Sequence, residues 1–263
     1  MSDPAPAPDP VQIRIDGVEK RYGEHEVLRG VSFDVQRGIT NVIIGASGAG
    51  KSVLMRQIMR LERPDAGSIV VDGQDIVPMN EVALTKVRRK FGMVFQASAL
   101  FDSMDVFENV AFPLREHTKM RRKEIRERVM ARLEDLEVAH AARKMPDELS
   151  GGMQKRVAVA RALVLEPEVL IYDEPTTGLD PITSRTVDEL MVRTREQYGV
   201  TGIVITHDMA SVFFIADRIN YLYEGRITAS GTPEEFLASE DPATREFLEA
   251  SGVGTSAAFA KRR

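Results

Sequence analysis

"NVIIGASGAGKSVLMRQIMRLERP", residues 41–64, decides the fold. A short apolar run leads into a glycine-rich loop, and the loop leads into a helical pattern. Gly45, Gly50, Lys51 and Ser52 satisfy G-x-x-x-x-G-K-[ST] in the strand–loop–helix context that this pattern requires. Glycines let backbone N–H groups converge on phosphate oxygens without obstruction by a Cβ. The helix that follows adds the positive end of its dipole. In this arrangement Lys51 reaches the β- and γ-phosphates of a nucleotide, and the Ser52 hydroxyl binds Mg²⁺. A bare glycine turn occurs in many α/β proteins, but eight matched positions in this context point to nucleotide binding.

Working outward, "EVLIYDEPTTGLDP" (168–181) is the next strong signal. Val169 to Tyr172 read as a buried strand with Asp173 and Glu174 at its end. In an open α/β sheet that end lies beside the phosphate loop. Asp173 is placed to hold the Mg²⁺ shell, and Glu174 to orient and polarise the attacking water. Two carboxylates at a buried strand end would be costly without a cation.

"TGIVITHDM" (201–209) is a further β-branched strand, ending in His207, read as a γ-phosphate contact. His25, His117 and His140 have no such context and receive no catalytic role. "KFGMVFQ" (90–96) ends in Gln96, whose amide is either a Mg²⁺ and water contact or a plain loop glutamine. In "EKRYGEHEVLRGVSF" (19–33) Tyr22 falls in a turn between strands, to stack on adenine or simply to pack.

A second glycine turn, "LSGGMQKR" (149–156), opens another helical run. Ser150, Gly151 and Gly152 offer a hydroxyl, unobstructed N–H groups and a helix N-terminus. One phosphate cradle is already complete, so one subunit has no evident use for a second. Hydrolysis needs charge stabilisation aimed at the transition state from the opposite side of the γ-phosphate. In a head-to-tail pair, each chain's second turn would close the other chain's site.

Bulk properties agree. The 263 residues, 43% hydrophobic, suit one compact domain with an inserted lobe or two small domains. The opening "MSDPAPAPDP" (1–10) reads as a flexible lead-in without the basic-then-apolar pattern of a signal peptide. No apolar run approaches the roughly 20 residues that cross a bilayer, so the expectation is a soluble chain or one attached to a membrane through partners. There is no cysteine, which excludes disulfides and thiolate metal sites. The net charge of −5 is well mixed and gives no basic surface for nucleic acid. Even "KMRRKEIRERVMAR" (119–132) carries its own glutamates; with Leu136, its Ile125, Val129 and Leu133 space out as an amphipathic helix.

Taken in order, these motifs resemble those of the ATPase subunits of ABC transporters over nearly the whole chain. The resemblance implies an A-loop tyrosine (Tyr22), a Walker A loop (Gly45, Ser47, Gly48, Gly50, Lys51, Ser52, Val53) and a Q-loop (Gln96). It also implies an LSGGQ-type signature (Leu149 to Gln154, with Ser150, Gly151 and Gly152 at its core), Walker B (Asp173), a catalytic glutamate (Glu174), a D-loop (Asp180) and a switch histidine (His207). Met153 departs from the usual glutamine without touching the Ser-Gly-Gly core. The implied fold is an α/β P-loop NTPase: a RecA-like core sheet, an antiparallel β subdomain and an inserted α-helical subdomain. On this chain the core is 11–96 and 161–230, the helical lobe with its permease-facing surface is 97–160, and a C-terminal extension is 231–263. No catalytic position is degenerate, so a homodimer with two competent ATP and Mg²⁺ sites is expected.

The insert "ALFDSMDVFENVAFPLREHT" (99–118) resembles that of the MCE-type lipid transport ATPases, the MlaF group. "GKSVL" (50–54) fits the same group: Val53 cannot donate to the α-phosphate, leaving backbone N–H groups and the helix dipole to serve there. "LDPITS" (179–184) and "GTPEEFLASEDPATREFLEASG" (231–252) also fit. The resemblance implies an MlaE-like integral-membrane permease and an MCE-domain lipid-binding protein as partners, and a place on the cytoplasmic side of the inner membrane through the permease. It allows a small accessory subunit that no residue here encodes. Phe101, Phe107 and Phe112 either line a groove for the permease or pack within the lobe, as Phe107, Val110 and Leu114 do at helical spacing. The tail shows two helix starts, Thr232-Pro233 and Asp241-Pro242, and is expected to pack on its own core or on a partner subunit. Amino-acid uptake ATPases share every catalytic motif and form the alternative. Soluble ABC proteins of translation or DNA repair resemble two cassettes in one chain or carry a long coiled-coil insert, neither of which is present.

Overall fold

The computed structural model describes residues 10–252. Residues 1–9 of the proline-rich lead-in and the last stretch of the tail, from 253 onward, lie outside the described residues. Alternating apolar residues make β1 (Val11–Tyr22) and β2 (His25–Gln36) an antiparallel hairpin. Tyr22 is the last strand residue, paired with His25, rather than part of the turn. The apolar run of the phosphate-loop stretch becomes the fully buried β3 (Thr40–Ile44), and its helical pattern becomes α1 (Lys51–Ile58). Then come β4 (Ala66–Val71), β5 (Gln74–Asp75), α2 (Glu81–Arg88) and β6 (Phe91–Val94).

The insert folds as α3 (Val106–His117) and α4 (Arg122–Asp135), followed by α5 (Gly151–Leu163). The chain returns through β7 (Val169–Asp173), α6 (Pro181–Tyr198), β8 (Thr201–Ile205), α7 (Met209–Ile215), β9 (Arg218–Tyr223) and β10 (Arg226–Gly231). It closes with α8 (Pro233–Leu237) and α9 (Pro242–Ala250), whose N-caps are Thr232 and Asp241 as their sequence predicts.

Two sheets result. One is antiparallel, in the order β2-β1-β4-β5. The other, β10-β9-β3-β8-β7-β6, is parallel from β9 to β6, with β10 antiparallel at its edge. This is the P-loop α/β fold that the motifs predict. One apolar core, including Ile43, Leu54 and Ile171, lies between the antiparallel sheet, α1 and one face of the parallel sheet. The other runs unbroken from the opposite face, through Val42, Tyr172 and Val204, into Val110, Leu114, Val129 and Leu133 of the lobe. The lobe is thus continuous with the sheet, and α5 packs against both α3 and β6.

Within the lobe, Val110 and Leu114 are buried, and Asn109 fastens the segment before α3. Its Oδ1 accepts from the Phe101 N–H at 2.8 Å, and its Nδ2 donates to the Met104 carbonyl at 2.9 Å. Phe101 stays 41% exposed, with its ring centroid 5.0 Å from that of Phe112. Of the two uses open to these rings, packing accounts for Phe107, which lies against the lobe core, whereas Phe101 keeps an outward face. The tail turns back on its own core: Tyr221 of β9 meets Phe247 of α9 at 4.8 Å and Phe236 of α8 at 6.1 Å.

Candidate functional site

Because β3, β8, β7 and β6 run parallel, their C-terminal ends open on one edge of the sheet. Each end carries positions singled out in the sequence: Gly45 after β3, His207 after β8, Asp173 closing β7 with Glu174 just after it, and Gln96 after β6. Ligands of such sheets bind beyond the carboxyl ends of the strands. A cleft of about 800 Å³ lies there, lined by Gly45–Gly48 and Gly50–Val53 together with Gln96, Glu174 and His207.

The loop's glycines answer to specific contacts. A Cβ on Gly45 would stand 2.4 Å from the carbonyl oxygen of Leu222 in β9, which only a hydrogen can occupy. Gly50, the residue before α1, has φ of 102°, a conformation that L side chains rarely adopt. Lys51 folds back over the loop, donating from Nζ to the carbonyls of Gly45 at 2.7 Å and Ala46 at 3.1 Å. Its ammonium is 3.9 Å from Glu174 Oε1. Burial pulls the Lys51 pKa down, opposed by the charges of Glu174 and Asp173.

Glu174 itself is strained. Its φ of 48° is unusual for a residue with a side chain, and its N–H donates to the Ile205 carbonyl at 2.8 Å, which holds it there. Its Oε2 accepts from Thr177 Oγ1 at 3.1 Å and lies 2.8 Å from His207 Nδ1. One carboxylate is thereby gripped from two loops while its other oxygen faces the lysine. Burial, and then the neighbouring Glu174 charge, push the Asp173 pKa up. A cation beside this pair would relieve both effects. Among the described residues no group of three or more His, Cys, Asp or Glu would hold a metal ion. Ser52, Gln96 and Asp173 offer a hydroxyl, an amide and a carboxylate oxygen, the hard oxygen donors that Mg²⁺ prefers.

Other predicted residues stand apart from the cleft lining. Tyr22 is 44% exposed, and its hydroxyl donates to Glu62 Oε2 at 2.7 Å. Asp180 caps α6, its Oδ1 accepting from Ile182 N at 3.0 Å and Thr183 N at 3.1 Å. Ser150 caps α5, accepting from Met153 N at 3.4 Å. Gly151 and Gly152 differ sharply from Gly45. A Cβ on Gly152 would meet nothing within 4 Å, and one on Gly151 only Leu179 at 3.7 Å. Neither carries a positive φ. Nothing in their own chain requires glycine there.

The cleft also contains residues that sequence reasoning missed: Val27, Thr177, Phe247 and Ser251. Thr177 sits three residues beyond Glu174 and could have been noticed as a short polar side chain near the catalytic strand. Phe247 and Ser251 offered no local signal, because only the return of α9 across β9 brings them to the cleft.

With this geometry in view, three comparisons bear on it. The ABC transporter family profile matches residues 28–177. The intermembrane phospholipid transport system ATP-binding protein MlaF of Escherichia coli (strain K12) is 41% identical over 232 residues, covering 88% of this chain and 86% of that protein. The probable ribonucleotide transport ATP-binding protein mkl of Mycobacterium leprae is 38% identical over 244 residues, 93% of this chain and 70% of its own. A solved dimeric ATP-binding cassette, MJ0796 in a post-hydrolysis state bound to ADP and Pi, superposes with a TM-score of 0.74 at 33% identity, over 84% of this chain and 98% of that one.

Proposed function

The chain belongs to the ABC transporter family as an ATP-binding subunit, and from that premise we propose that it hydrolyses ATP in a homodimer to drive lipid movement between bacterial membranes. The observation that carries the catalytic reading is Glu174, held by His207 and Thr177 with its free oxygen toward Lys51. In this reading Gly45, Ser47, Gly48 and Gly50 shape the cradle, Lys51 neutralises β- and γ-phosphate charge, and α1 turns its dipole toward the phosphates. The backbone of the Ser52–Val53 turn serves the α-phosphate, and Tyr22 supports adenine from the strand end outside the cleft. Glu174 accepts hydrogen bonding from the attacking water, while His207 and Gln96 sense the γ-phosphate. Ser52, Gln96 and Asp173 would hold Mg²⁺, which would supply positive charge to the phosphate oxygens.

Ser150, Gly151 and Gly152 act on the partner's nucleotide. Their glycines are idle within their own chain, which suits a turn whose occupant is another molecule, and Asp180 stands beside that contact. The dimeric state of the related cassette supports the same arrangement.

The lipid reading draws on the MlaF likeness across most of both chains and on the insert "ALFDSMDVFENVAFPLREHT". The relatives above are named for phospholipid and ribonucleotide transport rather than amino-acid uptake. No helix among the described residues is long and apolar enough to cross a membrane; an MlaE-like permease at the lobe, with Phe101 on the docking face, holds the dimer on the cytoplasmic side of the inner membrane. An MCE-domain protein, with or without a small accessory subunit, completes the complex. The test is a pull-down of N-terminally tagged protein from detergent-solubilised native membranes, with partners identified by mass spectrometry. A multi-span permease with an MCE-domain protein is expected. A periplasmic solute-binding protein with a small-molecule permease would overturn the lipid assignment and leave the ATP chemistry standing.

A further inference from the structure

Helix α5 carries two cations that have no carboxylate within ion-pair distance among the described residues. Lys155 is 4% exposed. Its ammonium donates instead to the carbonyl of Gln96, and more distantly to that of Phe95 at 3.5 Å. Arg161, farther along the same helix, donates from Nη1 to the Ala99 carbonyl at 2.7 Å and from Nη2 to the Ser98 carbonyl at 2.8 Å. Two charged side chains of one helix thus clasp the five-residue segment that contains Gln96. Ser98 and Ala99 hold φ of 61° and 47°, backbone that persists only where its surroundings enforce it.

This arrangement is a poor way to gain stability. Burial alone drives the pKa of both cations downward, with no opposing carboxylate. Taking a charge out of water costs free energy, and no carboxylate's attraction offsets that cost at Lys155. Neighbouring basic residues show the ordinary solution: Arg156 reaches Glu137 at 2.9 Å, and Arg128 reaches Glu166 at 2.6 Å. What the clasp does achieve is mechanical. Gln96 lines the phosphate cleft, and α5 begins at the Ser150 turn five residues before Lys155.

We propose that Lys155, with Arg161 as a second anchor, is a positioning residue that ties the backbone of Gln96 to α5, so that the Ser150 turn moves as one body with the segment facing the subunit's own nucleotide. A cleft that has closed on ATP thereby sets the aim of the turn presented to the partner. The hydrogen bonds suit the task because a charged donor to a carbonyl is stronger than a neutral one, and burial of the Lys155 side chain limits competition from water at that end. The proposal rests on the reading that Gln96 and the Ser150 turn serve one reaction from two subunits.

The test uses the full chain. Lys155→Met is made alone, in the Glu174→Gln background, where slowed hydrolysis accumulates the ATP-bound dimer, and in the Ser150→Arg background, where ATP binds the isolated subunit. Expected for Lys155→Met are a kcat lowered about tenfold or more and a comparably weakened ATP-driven dimer by light scattering. The subunit's own ATP affinity stays within about twofold and the unfolding midpoint is not lowered. Lys155→Arg restores most of the kcat. A folded Lys155→Met with wild-type kcat and dimerisation overturns the proposal, and so does an equal loss of ATP affinity in the Ser150→Arg background. If Lys155→Met does not fold, Arg161→Lys, which keeps the charge but loses the two-carbonyl fork, is read by the same assays; wild-type behaviour there overturns it. Failure of the parent reading shows separately: Ser150→Arg alone would then leave turnover and ATP-driven dimerisation intact.

Discussion

The two glycine turns of this protein look alike in sequence and are unlike in structure. At the first, Gly45 is pinned by the Leu222 carbonyl and Gly50 by its φ of 102°, so the fold itself demands them. At the second, Gly151 and Gly152 lie in ordinary helical backbone with open space where side chains would go. Folding thus accounts for the glycines of the first turn, and in the proposed homodimer association accounts for those of the second.

The strongest way to break this comparison is complementation. Lys51→Ala removes the charge of the first turn and Ser150→Arg fills the second; each is expected to lower the turnover of its own homodimer by roughly 10²–10³, about 3–4 kcal/mol of barrier. A mixed dimer keeps one composite site whole, from the first turn of the Ser150→Arg chain and the second turn of the Lys51→Ala chain. Mixing equal amounts should recover about a quarter of wild-type activity if the sites work independently. Any recovery excludes two turns serving one chain, and full activity in either single variant would refute the assignment of that turn.

A gentler pair sharpens the same contrast on stability. Gly45→Ala drives a methyl into the β9 backbone, and overpacking of this kind costs about 1–3 kcal/mol. Its unfolding midpoint should fall by several degrees. Gly152→Ala should unfold within about 0.5 kcal/mol of wild type and instead lose turnover. A Gly152→Ala variant destabilised as much as Gly45→Ala would erase the distinction.

The smallest expected effect lies behind the His207 loop. Asp208 caps α7 and shares Ser211 Oγ, at 3.1 Å, with Asp188 of α6, also at 3.1 Å. Asp188 is 4% exposed and one of its oxygens has no partner. Burial pushes its pKa up to about 6, with the Asp208 charge adding to the rise and the Ser211 hydrogen bond opposing it. Because the folded value exceeds the unfolded one, the proton's contribution to stability is complete below the unfolded carboxylate range. It is lost as pH rises through about 6. The stability of Asp188→Asn relative to wild type should therefore grow by about 1 kcal/mol as pH rises from 5 to 8. A constant gap across that range would show that Asp188 does not titrate as described.

How much of this was legible varies with the range of the forces involved. The phosphate loop, the β7 carboxylates and His207 could be read because each follows a run of residues that can only be a buried strand, and parallel strands deliver their ends to one edge. Thr232 and Asp241 announced their helices because capping acts within three residues. Tyr22 was read into the turn but pairs with His25 as the last residue of β1, since a two-residue turn leaves both flanking positions in the strands. Lys155 and Arg161 carried no mark of their own within the helical run after the second glycine turn. Their hydrogen-bond partners lie in a segment some sixty residues distant, which no local period records.

By itself, the sequence determined the chemistry: which strand ends carry phosphate-binding and carboxylate groups, and that two glycine turns exist. Short-range rules of strand alternation, helix capping and glycine permissiveness suffice for that, because each acts within a few residues. Only the tertiary structure decided what those groups meet. It set Glu174 against Lys51, laid Phe247 and Ser251 beside the phosphate cleft, and put the Gln96 backbone under the ammonium of Lys155. Such contacts join residues distant in the chain, and close packing of the whole molecule is what selects them.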